Sequence, residues 1–271
     1  MSTTTPDFTA IKERQRLTWG SGHYGAVAAV IHPIAEQLVS AANLAPGARV
    51  LDVATGTGNV ALAAARRRCQ VTGLDYVPEL LERGRARAAA EGLPVEFVEG
   101  DAEDLPFPDG SFDAVLSCVG VMFAPDQSRA AAELVRVCRP GGTIALANWT
   151  PAGFLGALFA TIGRHVPPPA GLRPPVTWGD PARLRELLGP RIARLATTEL
   201  TFGFPFETAG EFVEFMWAMY GPLGKAFDAL DANGQDRLRR ELIEALAPYE
   251  QDQAGVRTLA GRYLQAVATR A

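Results

Sequence analysis

Short runs of almost uninterrupted apolar residues alternate along the first half of the chain with stretches of helical periodicity. Residues 49–53, 70–74, 95–99, 112–118 and 143–148 each read as a strand. Between them, residues 59–68, 78–91 and 127–138 read as helices, the second opened by Pro78 and stopped by Gly92. Gly100-Asp101, Asp109-Gly110 and Pro140-Gly141-Gly142 read as turns. Strands as apolar as Val50-Leu51 and Val115-Leu116 are buried on both faces, which is the signature of a parallel sheet between two helical layers. The pattern predicts an α/β, doubly wound, mostly parallel sheet.

The flanks are less regular. Residues 8–45 read as helical, ending at Pro46-Gly47, after a polar, frayed start at Met1–Asp7 without signal-peptide character. The apolar stretch Ala26–Ile31 is cut short by His32-Pro33, so a membrane span is not expected. Beyond residue 150, the stretch Pro151–Pro175 is rich in Pro, Gly and Phe, and Asp180 is placed to cap a short helix ending at Leu188. Residues 192–202 and 257–269 read as two long strands, with two or three amphipathic helices over 207–253 inserted in their connection.

Composition narrows the partners. A chain of 271 residues, 48% hydrophobic and 21% charged, can bury one sizeable core. Its net charge of −4 and pI near 5.5 argue against nucleic acid or another polyphosphate, which would call for a basic stripe. Cys69, Cys118 and Cys138 have neither disulfide nor metal-ligand spacing, so no metal is expected. Lysine occurs only at Lys12 and Lys225 among many arginines, a bias typical of GC-rich bacterial genomes. A cytoplasmic protein is the default, and homo-oligomerisation is left open.

The candidate chemistry sits at strand ends, where such sheets bind ligands. Val50-Leu51-Asp52-Val53-Ala54-Thr55-Gly56-Thr57-Gly58 is a strand running into a glycine-punctuated turn and a helix, the architecture of a nucleotide site. Asp52, Asp75 and Asp101 fall at the ends of the first three strands and are expected to converge on one crevice. Taken singly, each fits a turn or a cap. Asp75 is placed for the vicinal hydroxyls of a ribose and Asp101 for an adenine amino group. Asp52 discriminates between ligands: about 5 Å from a pyrophosphate it would cost roughly 3 kcal/mol at an effective dielectric near 20, whereas a sulfonium and an ammonium reverse the sign. S-adenosylmethionine fits that description better than NAD.

Residues 46–150 resemble the class I S-adenosylmethionine-dependent methyltransferases, in the broad group that includes the ubiquinone/menaquinone and type 11 enzymes. The resemblance is carried by Val50–Gly58, Leu74-Asp75-Tyr76, Gly100–Phe107, Ser111–Val115 and Leu134–Gly142. It implies a Rossmann-like, seven-stranded sheet whose last strand is antiparallel. It also implies that Asp52, Ala54, Thr55, Gly56 and Gly58 line the methionyl part, Asp75 holds the ribose and Tyr76 flanks the adenine. Asp101 with the Ala102 backbone would take the adenine edge, and Cys118 belongs to the same wall. Ala54 stands where the family more often has its first glycine, which implies a slightly wider turn. An N-terminal lid over the cofactor would bring Trp19 or Tyr24 near the methionyl carboxylate. The organisation expected is a helical lid over 1–45, a cofactor-binding core over 46–150, and the rest of the sheet with a helical substrate cap over 151–271, all in one structural domain.

Methyl transfer from a sulfonium is an in-line displacement in which alignment supplies much of the rate, and the chain shows no convincing general base. His23, Tyr24 and His165 are the candidates to touch the acceptor; His32 reads as structural. Phe212, Phe215, Met216 and Met219 share one helical face and suggest a small hydrophobic or aromatic acceptor. Ser117-Cys118-Val119-Gly120 stands where nucleic-acid amino-methyltransferases carry Asn/Asp-Pro-Pro-Tyr. Two alternatives stay open at this point: an NAD(P)-dependent oxidoreductase using Gly56-x-Gly58-x-x-Ala61, and a non-catalytic S-adenosylmethionine-binding protein. With the enzyme, the product is S-adenosylhomocysteine.

Overall fold

A computed structural model describes residues 6–253 and 255–271. The start expected to be frayed and without a signal peptide falls largely in residues 1–5, outside the described residues. In chain order the elements are α1 Phe8–Gly20, α2 Tyr24–Ala42, β1 Arg49–Val53, α3 Asn59–Arg66, β2 Gln70–Asp75, α4 Pro78–Glu91, β3 Val95–Glu99, β4 Phe112–Cys118 and α5 Gln127–Val137. There follow β5 Cys138–Trp149, α6 Phe154–His165, α7 Pro181–Leu188, β6 Ile192–Phe204, α8 Ala209–Met219, α9 Gly221–Asp228, α10 Ala232–Leu246, β7 Glu250–Gln253 and β8 Val256–Arg270.

The sheet runs β3-β2-β1-β4-β5-β8-β6, with β7 paired to β8. Strands β1 to β5 are mutually parallel, and β8 is antiparallel to β5 and β6. This is the doubly wound, Rossmann-like sheet that the apolar runs predict. An eighth strand is added to the expected seven because β7 folds back on β8 as a hairpin next to Gly255, at φ +81°.

Three expectations are refined or corrected. The segment over 8–45 is two helices, broken at Ser21-Gly22-His23; Gly22 holds φ +77°, and a Cβ there would lie 3.0 Å from the Met219 carbonyl. Helix α2 does not stop at His32-Pro33 but runs 19 residues through Pro33. The missing proline N–H deprives only the Ala29 carbonyl of its helical partner, and Ala29 is exposed to water. By length and composition α2 could cross a membrane, yet it buries Val27, Ile31, Ile34, Leu38 and Val39 in the core, against α3 and β5. In β5, Pro140-Gly141-Gly142 is not a turn before the strand but an irregularity within it, where the register with β4 shifts.

Helix α6 is hidden in the sequence by the Pro and Gly around it. Residues 154–165 themselves contain no proline, and Phe154, Leu155, Leu158 and Thr161 bury one face. The short helix after Asp180 forms as expected, with the Asp180 carboxylate accepting the Ala182 and Arg183 N–H groups.

The sheet and α2 are joined by a bond across 226 residues: the Tyr263 hydroxyl on β8 donates to Gln37 Oε1 at 2.6 Å. Tyr263→Phe should therefore lower the unfolding free energy by about 1 kcal/mol in a urea titration, with the m-value unchanged. An unaltered midpoint would show that this bond contributes nothing net.

Candidate active site

Strands β1 and β2 pair in register, Asp52 beside Gly73 and Val53 beside Leu74, so the turn leaving β1 passes over the end of β2. The Thr55 N–H donates to the Leu74 carbonyl and the Gly58 N–H to the Thr55 carbonyl, both at 2.9 Å. Gly56 and Gly58 hold φ +55° and +86°, and Ala54 is itself left-handed at φ +54°, a conformation that costs an alanine roughly 1 kcal/mol. The Gly58 to Thr55 bond closes this turn. Gly120 makes room for it, since a Cβ there would come within 2.6 Å of the Ala54 carbonyl oxygen.

Asp75 closes this turn. Its Oδ2 accepts the Gly56 N–H at 2.9 Å and its Oδ1 the Val77 N–H at 3.0 Å, leaving each oxygen a second acceptor position. Burial pushes the Asp75 carboxyl up to about 6, against the opposing pull of the Gly56, Val77 and Tyr76 N–H groups.

Around Asp75 lies a cavity of about 810 Å³, its mouth included. Its walls come from α1 (Lys12, Trp19), α2 (Tyr24, Ala28, Ile31), the turn (Ala54 to Thr57, and Asn59), the end of β2 (Asp75, Tyr76, Val77), the loop after β3 (Asp101, Ala102, Glu103) and the end of β4 (Cys118 to Val121). Helix α1 is latched over it. Lys12 Nζ lies 2.5 Å from Asp101 Oδ2 and 3.0 Å from Glu103 Oε2; Gln15 donates to the Phe123 carbonyl, and Arg16 pairs with Glu99. Burial alone would lower the Lys12 ammonium, but its two carboxylate partners outweigh this and hold it above its ordinary value.

A second, apolar chamber of about 390 Å³, its mouth included, adjoins the first and shares Trp19, Tyr24, Ile31, Val119 and Phe123 with it. Trp149, Leu155, Phe159, Phe204, Phe212, Met216 and Tyr220 are among its other walls. Trp19 meets Tyr24, Phe123 and Tyr220 edge-on, at centroid distances of 5.6, 4.9 and 5.4 Å. Val119, at the boundary, is held at φ +52°, a rare conformation for a β-branched residue and one that tends to occur at functional sites.

Of the residues expected at the cofactor, Trp19, Tyr24, Ala54, Thr55, Gly56, Asp75, Tyr76, Asp101, Ala102 and Cys118 line one cavity. Asp52 and Gly58 do not. Asp52 is 1% exposed and points its Oδ2 at the start of α3, taking the Thr55 hydroxyl at 2.5 Å and the Ala61 N–H at 3.0 Å. Gly58 sits under the turn, where a Cβ would strike the Phe97 ring at 3.1 Å. The expected convergence of three aspartates is therefore corrected to Asp75 and Asp101, with Glu103 as the third acid.

The histidines are corrected as well. His23 is exposed at the start of α2, its N–H bound to the Met219 carbonyl, and lines neither cavity. His165 turns to α10, its Nε2 3.1 Å from Glu241. Tyr24 alone of the three acceptor candidates reaches the site, where it lines both cavities. On α8, Phe212 and Met216 line the chamber, whereas Phe215 packs on Phe206 and Met219 lies outside the lining. Lys12, Asn59 and Glu103 were missed. Asn59, which follows the glycine turn directly and donates to the Ala28 carbonyl, could have been found from its position; Lys12 has no local signal.

A family profile described as a methyltransferase domain matches residues 51–146. Over 242 residues the chain is 43% identical to an uncharacterized protein of Mycobacterium tuberculosis, a match covering 88% of each. It is 37% identical over 172 residues to demethylmenaquinone methyltransferase of Deinococcus radiodurans, covering 57% of this chain and 71% of that one. Among solved structures, the YcgJ protein of Bacillus subtilis shares the fold with a TM-score of 0.60 at 20% identity, covering 88% of this chain and 98% of its own.

Burial, opposed by the Thr55 and Ala61 bonds, raises the Asp52 carboxyl from 3.8 to about 7. A raised carboxyl favours the folded state while protonated, so that stability is full below about pH 4 and lost as pH rises through about 7. Both donors use the same oxygen, and an asparagine carbonyl can take its place. Asp52→Asn should match the wild type near pH 4 and become progressively more stable than it from pH 5 to 8, followed by thermal unfolding. A constant difference across that range would refute the buried-acid assignment.

Proposed function

Because this chain belongs to the class I S-adenosylmethionine-dependent methyltransferases, we propose that its first cavity holds S-adenosylmethionine and that the adjoining chamber receives a small hydrophobic acceptor. Asp75 carries the reading. It is buried, anchored by one backbone N–H on each oxygen, and left with one acceptor position on each, which two vicinal ribose hydroxyls would fill. A charged hydrogen bond of this kind contributes roughly 1.5–3 kcal/mol. Asp101 and the Ala102 backbone would take the adenine edge, with Tyr76 beside the ring and Ala54 to Thr57 along the methionyl part.

Charge supports the same ligand. Asp75, Asp101 and Glu103 face Lys12, so the lining is net acidic. An anionic pyrophosphate is disfavoured there and a cationic nucleoside favoured, and Asp52 has no part in that preference. Bound there, the cofactor supplies a methyl group already activated on a sulfonium sulfur. The protein's share is alignment and exclusion of water. Trp19, Tyr24, Ile31, Val119 and Phe123 form walls common to both cavities, which supports an acceptor lying beside the cofactor.

In this reading residues 1–45 act as the lid, 46–150 hold the cofactor, and 151–271 complete the sheet and cap the acceptor. The acceptor chamber is apolar and the chain acidic, which supports a small metabolite over a nucleic acid, in a cytoplasmic setting.

Calorimetric titration should show micromolar binding of S-adenosylmethionine and S-adenosylhomocysteine and none of NAD. Asp75→Ala should weaken the first two by at least about tenfold. NAD binding of comparable affinity would end the proposal.

A further inference from the structure

Arg87, on α4, is a partly buried cation with no carboxylate at ion-pairing distance among the described residues. Its hydrogen bonds all leave from one nitrogen. Nη1 donates to the Thr57 carbonyl at 2.7 Å, to Asn59 Oδ1 at 2.8 Å and to Thr57 Oγ1 at 3.2 Å. Desolvation lowers the guanidinium below its ordinary value, and the more distant charge of Glu91 offsets only part of this. A cation drawn away from water costs free energy unless polar atoms receive it, and here those atoms are the three oxygens of the turn leaving β1.

Those bonds fix two groups beside the cavity. The Thr57–Gly58 peptide is held at both poles, its carbonyl by Arg87 and its N–H by the Thr55 carbonyl at 2.9 Å. A planar peptide held at both ends cannot turn over. The Asn59 amide is fixed as well. Arg87 can only donate and the Ala28 carbonyl can only accept, so the amide fits one way round, with Oδ1 toward α4 and Nδ2 2.7 Å from the Ala28 carbonyl on α2. Thr57, Asn59 and Ala28 all line the first cavity, and Arg87 does not. It stands behind the wall and holds it, from α4 through the turn to α2.

We propose that Arg87 is a positioning residue for the amino-acid arm of the cofactor, acting through the Thr57–Gly58 peptide, the Asn59 amide and the tie from Asn59 to α2. This rests on the reading of the first cavity as the S-adenosylmethionine site and adds to it a residue outside the cavity. The nucleoside has anchors of its own in Asp75 and Asp101, and Arg87 bonds to neither. Thr57 belongs instead to the part of the turn assigned to the methionyl end. Arg87 also sets a positive charge behind that part of a net acidic lining, which favours the carboxylate of the arm. Its influence is therefore confined to ligands that possess the arm.

The test is calorimetric titration of the full chain with S-adenosylhomocysteine and with 5′-methylthioadenosine, which has the nucleoside and the sulfur but lacks the amino-acid arm. Arg87→Met should weaken S-adenosylhomocysteine by about tenfold and 5′-methylthioadenosine by less than about twofold. A merely structural contact would not separate the two ligands. Arg87→Lys, with the same charge on a shorter head, should show the same split at several-fold, and it decides the matter if Arg87→Met does not fold. Equal weakening of both ligands, or an unchanged affinity for S-adenosylhomocysteine, would overturn the proposal and leave the cofactor reading standing. A wild type that does not bind S-adenosylhomocysteine would overturn the cofactor reading and this one with it.

Discussion

The carboxylate of Asp75 accepts the Gly56 N–H and the Val77 N–H, and through those two bonds the end of β2 dictates where the turn after β1 can lie. Asp52, one strand over, does the same for the other side of that turn through Thr55 and Ala61. Both acids are buried, and both are raised by desolvation, Asp52 further than Asp75. Two carboxyl groups withdrawn from water at adjacent strand ends are tolerable only where donors are aimed at them, here the Gly56, Val77 and Ala61 N–H groups and the Thr55 hydroxyl, on a turn whose Ala54, Gly56 and Gly58 are left-handed. The glycine turn is thus shaped from beneath by its carboxylates as much as by its own flexibility.

Above the turn, the site is closed by segments that begin far from it in sequence. Lys12 reaches Asp101 and Glu103 across about 90 residues, and Glu103, with only 3% of its side chain exposed, needs that cation. Trp19 ties α1 to Tyr24, to Phe123 after β4 and to Tyr220 before α9. The polar latch lies on the side assigned to the adenine and the aromatic one on the side assigned to methyl transfer. This division separates a net acidic cavity from an uncharged chamber only one wall away.

Much of this could be read before the structure. Strands β1 to β5 and helices α3 and α4 were legible because a two-sided parallel sheet demands unbroken apolar runs, with Pro78 and Gly92 punctuating one helix. Asp75, Tyr76, Asp101 and Ala102 were legible because strand ends in such a sheet face one crevice. Asp52 was misread for a reason of pleat. Successive strand residues face opposite sides, and Asp52 faces α3 although it lies on the right level. His165 was misplaced because helix α6 was hidden among prolines, so the direction of its last turn toward Glu241 could not be foreseen.

What the sequence by itself determined is whatever depends on neighbours along the chain: the alternation of strands and helices, the glycine turn, the acids at strand ends, and the apolar character of the cap. Only the tertiary structure decided which of those acids faces the cavity, that Lys12 latches α1 to Asp101 and Glu103, and that Tyr24 and Tyr220 line one chamber. The physical reason is that facing is set by pleat and helix phase to within one residue, and that contacts between segments some 200 residues apart are chosen by packing and charge pairing in the folded state, which leave no local trace in the sequence.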